Sequence, residues 1–124
     1  MMQVLVVDDQ RMPRDNMEQI LAASGRYEVA ASISSAELAI IKCKQQPIDL
    51  ILMDVQMPHM DGYKATETIR ELSDEGKAHI PIVALTANAF EEDRKMAISK
   101  GMNDHIAKPI DVKKVEEVII SALK

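Results

Sequence analysis

Leu50-Ile51-Leu52-Met53-Asp54 is a short apolar run that ends on a carboxylate. An apolar run of this length, without polar alternation, suits a parallel strand covered on both faces. The same shape recurs on either side of it. Val4-Leu5-Val6-Val7 ends on Asp8-Asp9, Ile82-Val83-Ala84-Leu85 ends on Thr86, and the shorter Ile106-Ala107 ends on Lys108-Pro109. Val29-Ala30-Ala31-Ser32-Ile33 supplies one more run, second in chain order. The Ile106 run is weak alone and is read as a strand from its place in the series.

Helical patterns fill the intervals. Met17, Ile20 and Leu21 share one face of a first helix that tolerates Pro13 in its opening turn and meets a left-handed stop at Gly25. Ser34-Ser35-Ala36-Glu37 has capping-box spacing, and Ala36, Ala39, Ile40 and Cys43 then form a stripe. On that stripe Cys43 reads as a small core residue, not a reactive thiol. A third helix starts at Asp61 and turns Ala65, Ile69 and Leu72 inward. A fourth, from about Ala89 to Lys100, shows only a thin stripe of Phe90 and Ala97, which predicts a loosely held element. A fifth follows Asp111 and buries Val112, Val115, Ile119 and Ala122. The polar stretch from Ser73 to His79 is expected to be a mobile loop. Alternating strands and helices predict an α/β fold, a parallel sheet with right-handed crossovers and helices on both faces.

Bulk properties agree with one domain spanning residues 1–124. The chain has 124 residues, 47% of them hydrophobic, which is enough for a core without staples. Its single cysteine cannot form an internal disulfide. A net charge of -5 argues against a nucleic-acid-binding surface. No stretch approaches the roughly 18 apolar residues of a membrane span. Met1-Met2-Gln3 runs directly into the first strand, so no leader is expected, and a cytoplasmic location is.

In such sheets ligands sit beyond the carboxyl ends of the strands, near the point where strand order reverses. Asp8, Asp9, Asp54, Thr86 and Lys108 all fall on that rim. Three converging carboxylates repel one another unless a cation neutralises them. With only oxygen donors present, Mg²⁺ is the fitting ion, and Mn²⁺ its substitute. Asp8 or Asp9 could instead cap the first helix, but three aspartates on adjacent strands and a lysine on another make that the weaker account. Pro109 would impose a turn holding the Lys108 ammonium over the carboxylates. Thr86 reads equally well as a helix-capping hydroxyl or as one that swings toward a phosphoryl group. A screened carboxylate can attack phosphorus to form a mixed anhydride, and water can later undo it.

The motifs Val4 to Asp9, Leu52-Met53-Asp54-Val55-Gln56-Met57-Pro58-His59-Met60-Asp61-Gly62, Pro81 to Ala87 and Ala107-Lys108-Pro109 together resemble the response-regulator receiver domain of two-component signalling. The resemblance covers essentially the whole chain. It implies a flavodoxin-like, doubly wound (βα)5 sheet of order 2-1-3-4-5. It also implies that Asp54 is phosphorylated, that Asp8 and Asp9 hold Mg²⁺, and that the Gln56 main-chain carbonyl completes the protein ligands. By the same resemblance Thr86 and Lys108 inherit switch and phosphate-binding roles, and Gly62 is the small residue that lets the loop turn.

Gln56 and Asn88 occupy the two positions that flank the acceptor in this family. Their amides are expected to crowd the attacking water without supplying a base, giving a moderately long-lived phosphoryl form. His105 stands where receivers often carry Tyr or Phe. A surface histidine without a switching role is expected there, with pH-sensitive coupling as the alternative. His59 and His79 read as loop residues.

The stretch Gly101 to Asp111 is most similar to receivers of hybrid sensor kinases, so the implied partner is a histidine kinase or a histidine-phosphotransfer domain, and a segment of a larger chain is expected. The fourth helix, fifth strand and fifth helix form the implied output face, which is also the expected surface for pairing two copies.

Rival readings are a haloacid-dehalogenase-type phosphohydrolase, a non-phosphorylated receiver-like interaction module and a flavodoxin. The first places two aspartates around one residue after its first strand, whereas Asp8 and Asp9 are adjacent. The second typically lacks an acidic residue or the lysine, and both are kept. The third needs a hydroxyl-rich phosphate loop where Gln10-Arg11-Met12-Pro13 stands, and more aromatic residues than the 2% present.

Overall fold

The structure, a computed structural model, describes residues 1–87, 90–108 and 110–123. Its elements alternate as β1 (Met2–Val7), α1 (Arg11–Ser24), β2 (Tyr27–Ile33), α2 (Ala36–Gln45), β3 (Leu50–Asp54), α3 (Gly62–Arg70), α4 (Glu75–Ala78), β4 (Ile82–Thr86), α5 (Glu91–Ser99), β5 (Asp104–Ala107) and α6 (Val112–Ala122). The five strands form one parallel sheet of order β2-β1-β3-β4-β5. This is the flavodoxin-like order that the family resemblance implied.

Alternate strand residues serve two cores. Leu5, Val7, Ile51, Met53, Ile82 and Ala84 face the layer containing α2, α3 and α5. Val4, Val6, Leu50, Leu52, Val83 and Leu85 face α1 and α6. Strands β3 and β4 are buried throughout, as their unbroken apolar runs require. The edge strand β2 is not: only Tyr27 is buried, and the rest are partly or fully exposed. The expectation of burial on both faces therefore fails at this edge, where β2 has a strand on one side only.

Local signals set most helix ends. Gly25, at φ 73°, closes α1 in the left-handed region. Asp61 caps α3 through Lys64 N–H, and Asp111 caps α6 through Lys113 and Lys114 N–H. The α2 cap is Ser35, which accepts from Leu38 N–H, so the reciprocal Ser34–Glu37 box is not the motif used. Cys43 lies fully buried on that helix, and burial pushes its thiol up to about 11.

Three expectations need correction. The stretch taken for a loop carries the short helix α4, capped by Asp74 through Lys77 N–H. Phe90 does not belong to the α5 stripe: it is 61% exposed, and Ala97 is the one buried residue of that helix. Val112 is 53% exposed, because the first turn of α6 overhangs the sheet and packing begins at Val115.

Arg70 joins three elements at the amino-terminal rim of the sheet. Its guanidinium donates to the carbonyls of Gly101 (2.8 Å), Ala78 (2.9 Å) and Ile80 (2.7 Å), and to Asn103 Oδ1 (3.0 Å). The same Asn103 oxygen accepts Ile82 N–H at 2.9 Å, so β4, β5 and the end of α3 share one polar knot.

Candidate functional site

Beyond Val7, the chain leaves β1 and must reach α1 within three residues. Asp8 N–H stays in the sheet by donating to Ile33 O at 3.1 Å. The Asp8 carboxylate is fully buried, and its Oδ1 accepts Gln10 N–H at 2.9 Å. Asp9 is half-buried, with Gln10 Nε2 at 3.5 Å from Oδ2.

Asp54 ends β3 beside this turn, 5% exposed, and its Oδ1 accepts Gln56 N–H at 3.2 Å. The loop that follows doubles back tightly. Gly62 N–H donates to Val55 O at 3.1 Å, and a Cβ on Gly62 would collide with the Asp54 carbonyl oxygen, so only glycine allows this approach. Within the loop Met60 N–H donates to Pro58 O at 2.8 Å around His59, whose φ is 69°.

Asp8, Asp9 and Asp54 each offer a carboxylate oxygen, all within 4.8 Å of one another. Such crowding is unfavourable without positive charge. Burial first, and then the charge of Asp8, push the Asp54 carboxyl up to about 7 from its ordinary 3.8, against the opposing pull of Lys108. A hard divalent ion fits this donor set: oxygens only, at the crevice where the chain leaves β1 and β3 in opposite directions.

Lys108 supplies the cation present in the structure. Its ammonium stands 2.9 Å from Asp8 Oδ2 and 3.7 Å from Asp54 Oδ2, reaching over from the end of β5. Lys108 N–H donates to Thr86 O at 2.8 Å, which ties the two strand ends together. Thr86 itself is almost fully buried at the end of β4.

Of the residues named from the sequence, Asp8, Asp9, Asp54 and Lys108 converge, and Thr86 stands at the adjoining strand end. Gln56 joins them through its backbone N–H, while its side chain is exposed. Asn88 and Pro109 lie outside the described residues. His105 differs from its surface reading: its side chain is only 16% exposed, and Nδ1 is buried with no hydrogen-bond partner among the described residues, 3.7 Å from Asp104 Oδ1. Asp104 Oδ1 also stands 3.8 Å from Arg94 Nε, so this part of β5 borders α5. His79 reads correctly as a loop residue, its ring against Glu75 O at 2.8 Å. Two participants went unnoticed, Gln10 and Arg14. Arg14 Nη1 donates to Asp8 O at 3.0 Å. The signal was available, since both lie within six residues of the acidic pair, one of them in the first turns of α1.

With this geometry in hand, comparison with known proteins is decisive. The response regulator receiver domain family matches residues 4–120. The chain belongs to that family.

It is similar to the receivers of sensor kinases. It is 37% identical over 118 residues to sensor protein GacS of Pseudomonas syringae pv. syringae, a match covering 94% of this chain and 13% of that protein. It is 43% identical over 97 residues to Histidine kinase 1 of Arabidopsis thaliana, covering 78% of this chain and 8% of the kinase. The chain thus spans a small fraction of the length of these relatives. Among solved structures, a sensor histidine kinase receiver domain from Pseudomonas aeruginosa superposes with a TM-score of 0.86 at 33% identity, covering 98% of this chain and 97% of that one. That crystal structure holds a magnesium ion in its active-site cleft.

Proposed function

We propose that residues 1–124 act as one phospho-accepting receiver unit in a two-component phosphorelay, with Asp54 as the acceptor. The observation that carries this reading is the convergence of Asp8, Asp9, Asp54 and Lys108 on a single crevice. Asp54 is assigned as the nucleophile because it ends β3 in the crevice beside the acidic turn, with the Lys108 ammonium 3.7 Å from its Oδ2. In the transfer, an Asp54 carboxylate oxygen forms the new O–P bond as the P–N bond of a phosphohistidine breaks. The electron pair of that bond stays on the imidazole nitrogen. The carboxylates of Asp8, Asp9 and Asp54, with the Gln56 main-chain carbonyl, would hold Mg²⁺, or Mn²⁺ in its place. The ion, when bound, screens the negative charge of the carboxylates and phosphoryl oxygens.

Lys108 would neutralise a phosphoryl oxygen once Asp54 is modified, and Thr86 would donate its hydroxyl to another. A hydroxyl drawn inward at the end of β4 shifts an existing equilibrium of the α5–β5–α6 face, which is the output surface and a surface for pairing two copies. Phe90, Met96 and Ile98 are exposed there or beside it. His105, on the same strand, belongs to this coupling, and Gln56 and Asn88 set the phosphoryl lifetime.

The phosphodonor is a histidine kinase or a histidine-phosphotransfer domain. An open apolar groove of about 560 Å³, lined by Met12, Ile20, Ile110 and Val112 among others, runs beside Lys108 and fits the apolar side of a histidine-bearing helix. No helix among the described residues is long and apolar enough to cross a membrane. We place the domain in the cytoplasm, without nucleic-acid contacts of its own. It is a signalling acceptor that phosphorylates itself and slowly loses the group, not an enzyme turning over a substrate.

The test is incubation with acetyl phosphate and Mg²⁺ followed by intact-mass measurement. Wild type should gain one phosphoryl group and Asp54→Asn none; equal gain in both proteins would refute the assignment.

A further inference from the structure

We infer that Arg14 is a positioning residue for the cation site, acting on Asp8 through its main-chain carbonyl. The inference rests on the proposed reading of Asp8 as a metal ligand. It starts from a backbone group that the sheet does not use. β1 pairs with β2 and β3 through Val7, and the Asp8 carbonyl lies one residue past the last paired position. A buried carbonyl without a partner is costly, and the Arg14 guanidinium supplies one at 3.0 Å from inside α1.

The other holds on Asp8 are made by its amide to Ile33 O, by Gln10 N–H to Oδ1, and by Lys108 to Oδ2. Of these, the Lys108 contact competes with any cation for the carboxylate. Arg14 does not, because it grips the far side of the same residue. It keeps the carboxylate aimed into the crevice when the lysine lets go. Among the described residues the guanidinium makes no carboxylate ion pair within 4.0 Å that would account for its presence otherwise.

Charge and position predict opposite outcomes, which makes the inference testable. A guanidinium near the site repels a dication, so by Coulomb's law alone its removal should tighten Mg²⁺ binding. A positioning role requires the reverse, as for outer-sphere partners of metal ligands, whose loss costs roughly tenfold or more in affinity.

The experiment is calorimetric titration of the phosphodonor-free protein with MgCl₂, comparing wild type, Arg14→Met and Arg14→Lys. Melting in EDTA and the amide NMR spectrum serve as checks of folding. Met should weaken Mg²⁺ binding by about tenfold, and Lys, which keeps a donor, should recover part of the loss. Unchanged or tighter binding in Arg14→Met overturns the inference. If that variant does not fold, Arg14→Gln, too short to keep the contact, decides, since wild-type affinity in it counts against the role. Absence of Mg²⁺ binding in wild type would bring down the cation site itself, and with it this inference, and is distinguished by being seen before any substitution.

Discussion

Lys108 rests on Asp8: its ammonium is 2.9 Å from a fully buried carboxylate and nearly an ångström farther, 3.7 Å, from Asp54. The lysine thus balances the acidic turn, and a cation held there as proposed would compete with it for Asp8. Removing it leaves a buried charge uncompensated. Lys108→Ala should lose about 3 kcal/mol in urea denaturation with EDTA, and millimolar Mg²⁺ should return most of that. A loss of the same size with and without Mg²⁺ would show that the ion and the ammonium do not share a partner.

Asp54 gives stability a definite pH dependence. Its carboxyl is pushed up to about 7 in the folded protein from an ordinary 3.8, chiefly by burial and then by Asp8. Between those values the folded state keeps a proton that the unfolded chain has released. The stabilisation is therefore full below about pH 4 and is lost as pH rises through 7. In metal-free buffer at pH 8, Asp54→Asn should be more stable than wild type by an amount on the order of a few kcal/mol. The difference should shrink as pH is lowered toward 4. A pH-independent difference would contradict the assignment.

Gly62 tolerates no side chain. A Cβ there would meet the Asp54 carbonyl oxygen, with Met53 Cγ at 2.9 Å and Val55 Cα at 3.0 Å, and two of these three are backbone atoms. Gly62→Ala should cost about 3 kcal/mol and slow phosphorylation by acetyl phosphate, because relief of the clash moves the acceptor strand. Wild-type stability together with a wild-type rate would mean that the loop repacks freely.

Arg70 should separate stability from chemistry. Its guanidinium is held by three carbonyls and one amide at the rim opposite Asp54. Arg70→Met should lose about 3 kcal/mol, yet phosphorylate Asp54 at the wild-type rate under conditions where it is folded. A large change in that rate would show that the two rims are coupled.

Much of this was legible in the chain because strand ends carry both fold and chemistry. Leu50 to Asp54 announces a buried strand and a candidate acceptor in the same five residues. The strand order is different: periodicity in Val4–Val7 or Ile82–Leu85 says nothing about neighbours, and it came from likeness to a family. Glu75–Ala78 was hidden because a four-residue helix has no periodicity to read. Phe90 and Val112 misled because an apolar residue in a helix's first turn can overhang the sheet it approaches. Arg70 was illegible for a plainer reason. Its partners at 78, 80, 101 and 103 are mostly carbonyls, which every residue has.

One asymmetry of α5 sets how it can respond. At its carboxyl end the chain is pinned, with Met102 buried and the Gly101 carbonyl in the grip of Arg70. At its amino end no side chain among the described residues caps the helix, and Phe90 lies in solvent. Were Thr86 to move as proposed above, such a helix would turn about Gly101 like a lever, with its widest swing at the tip where Phe90 stands.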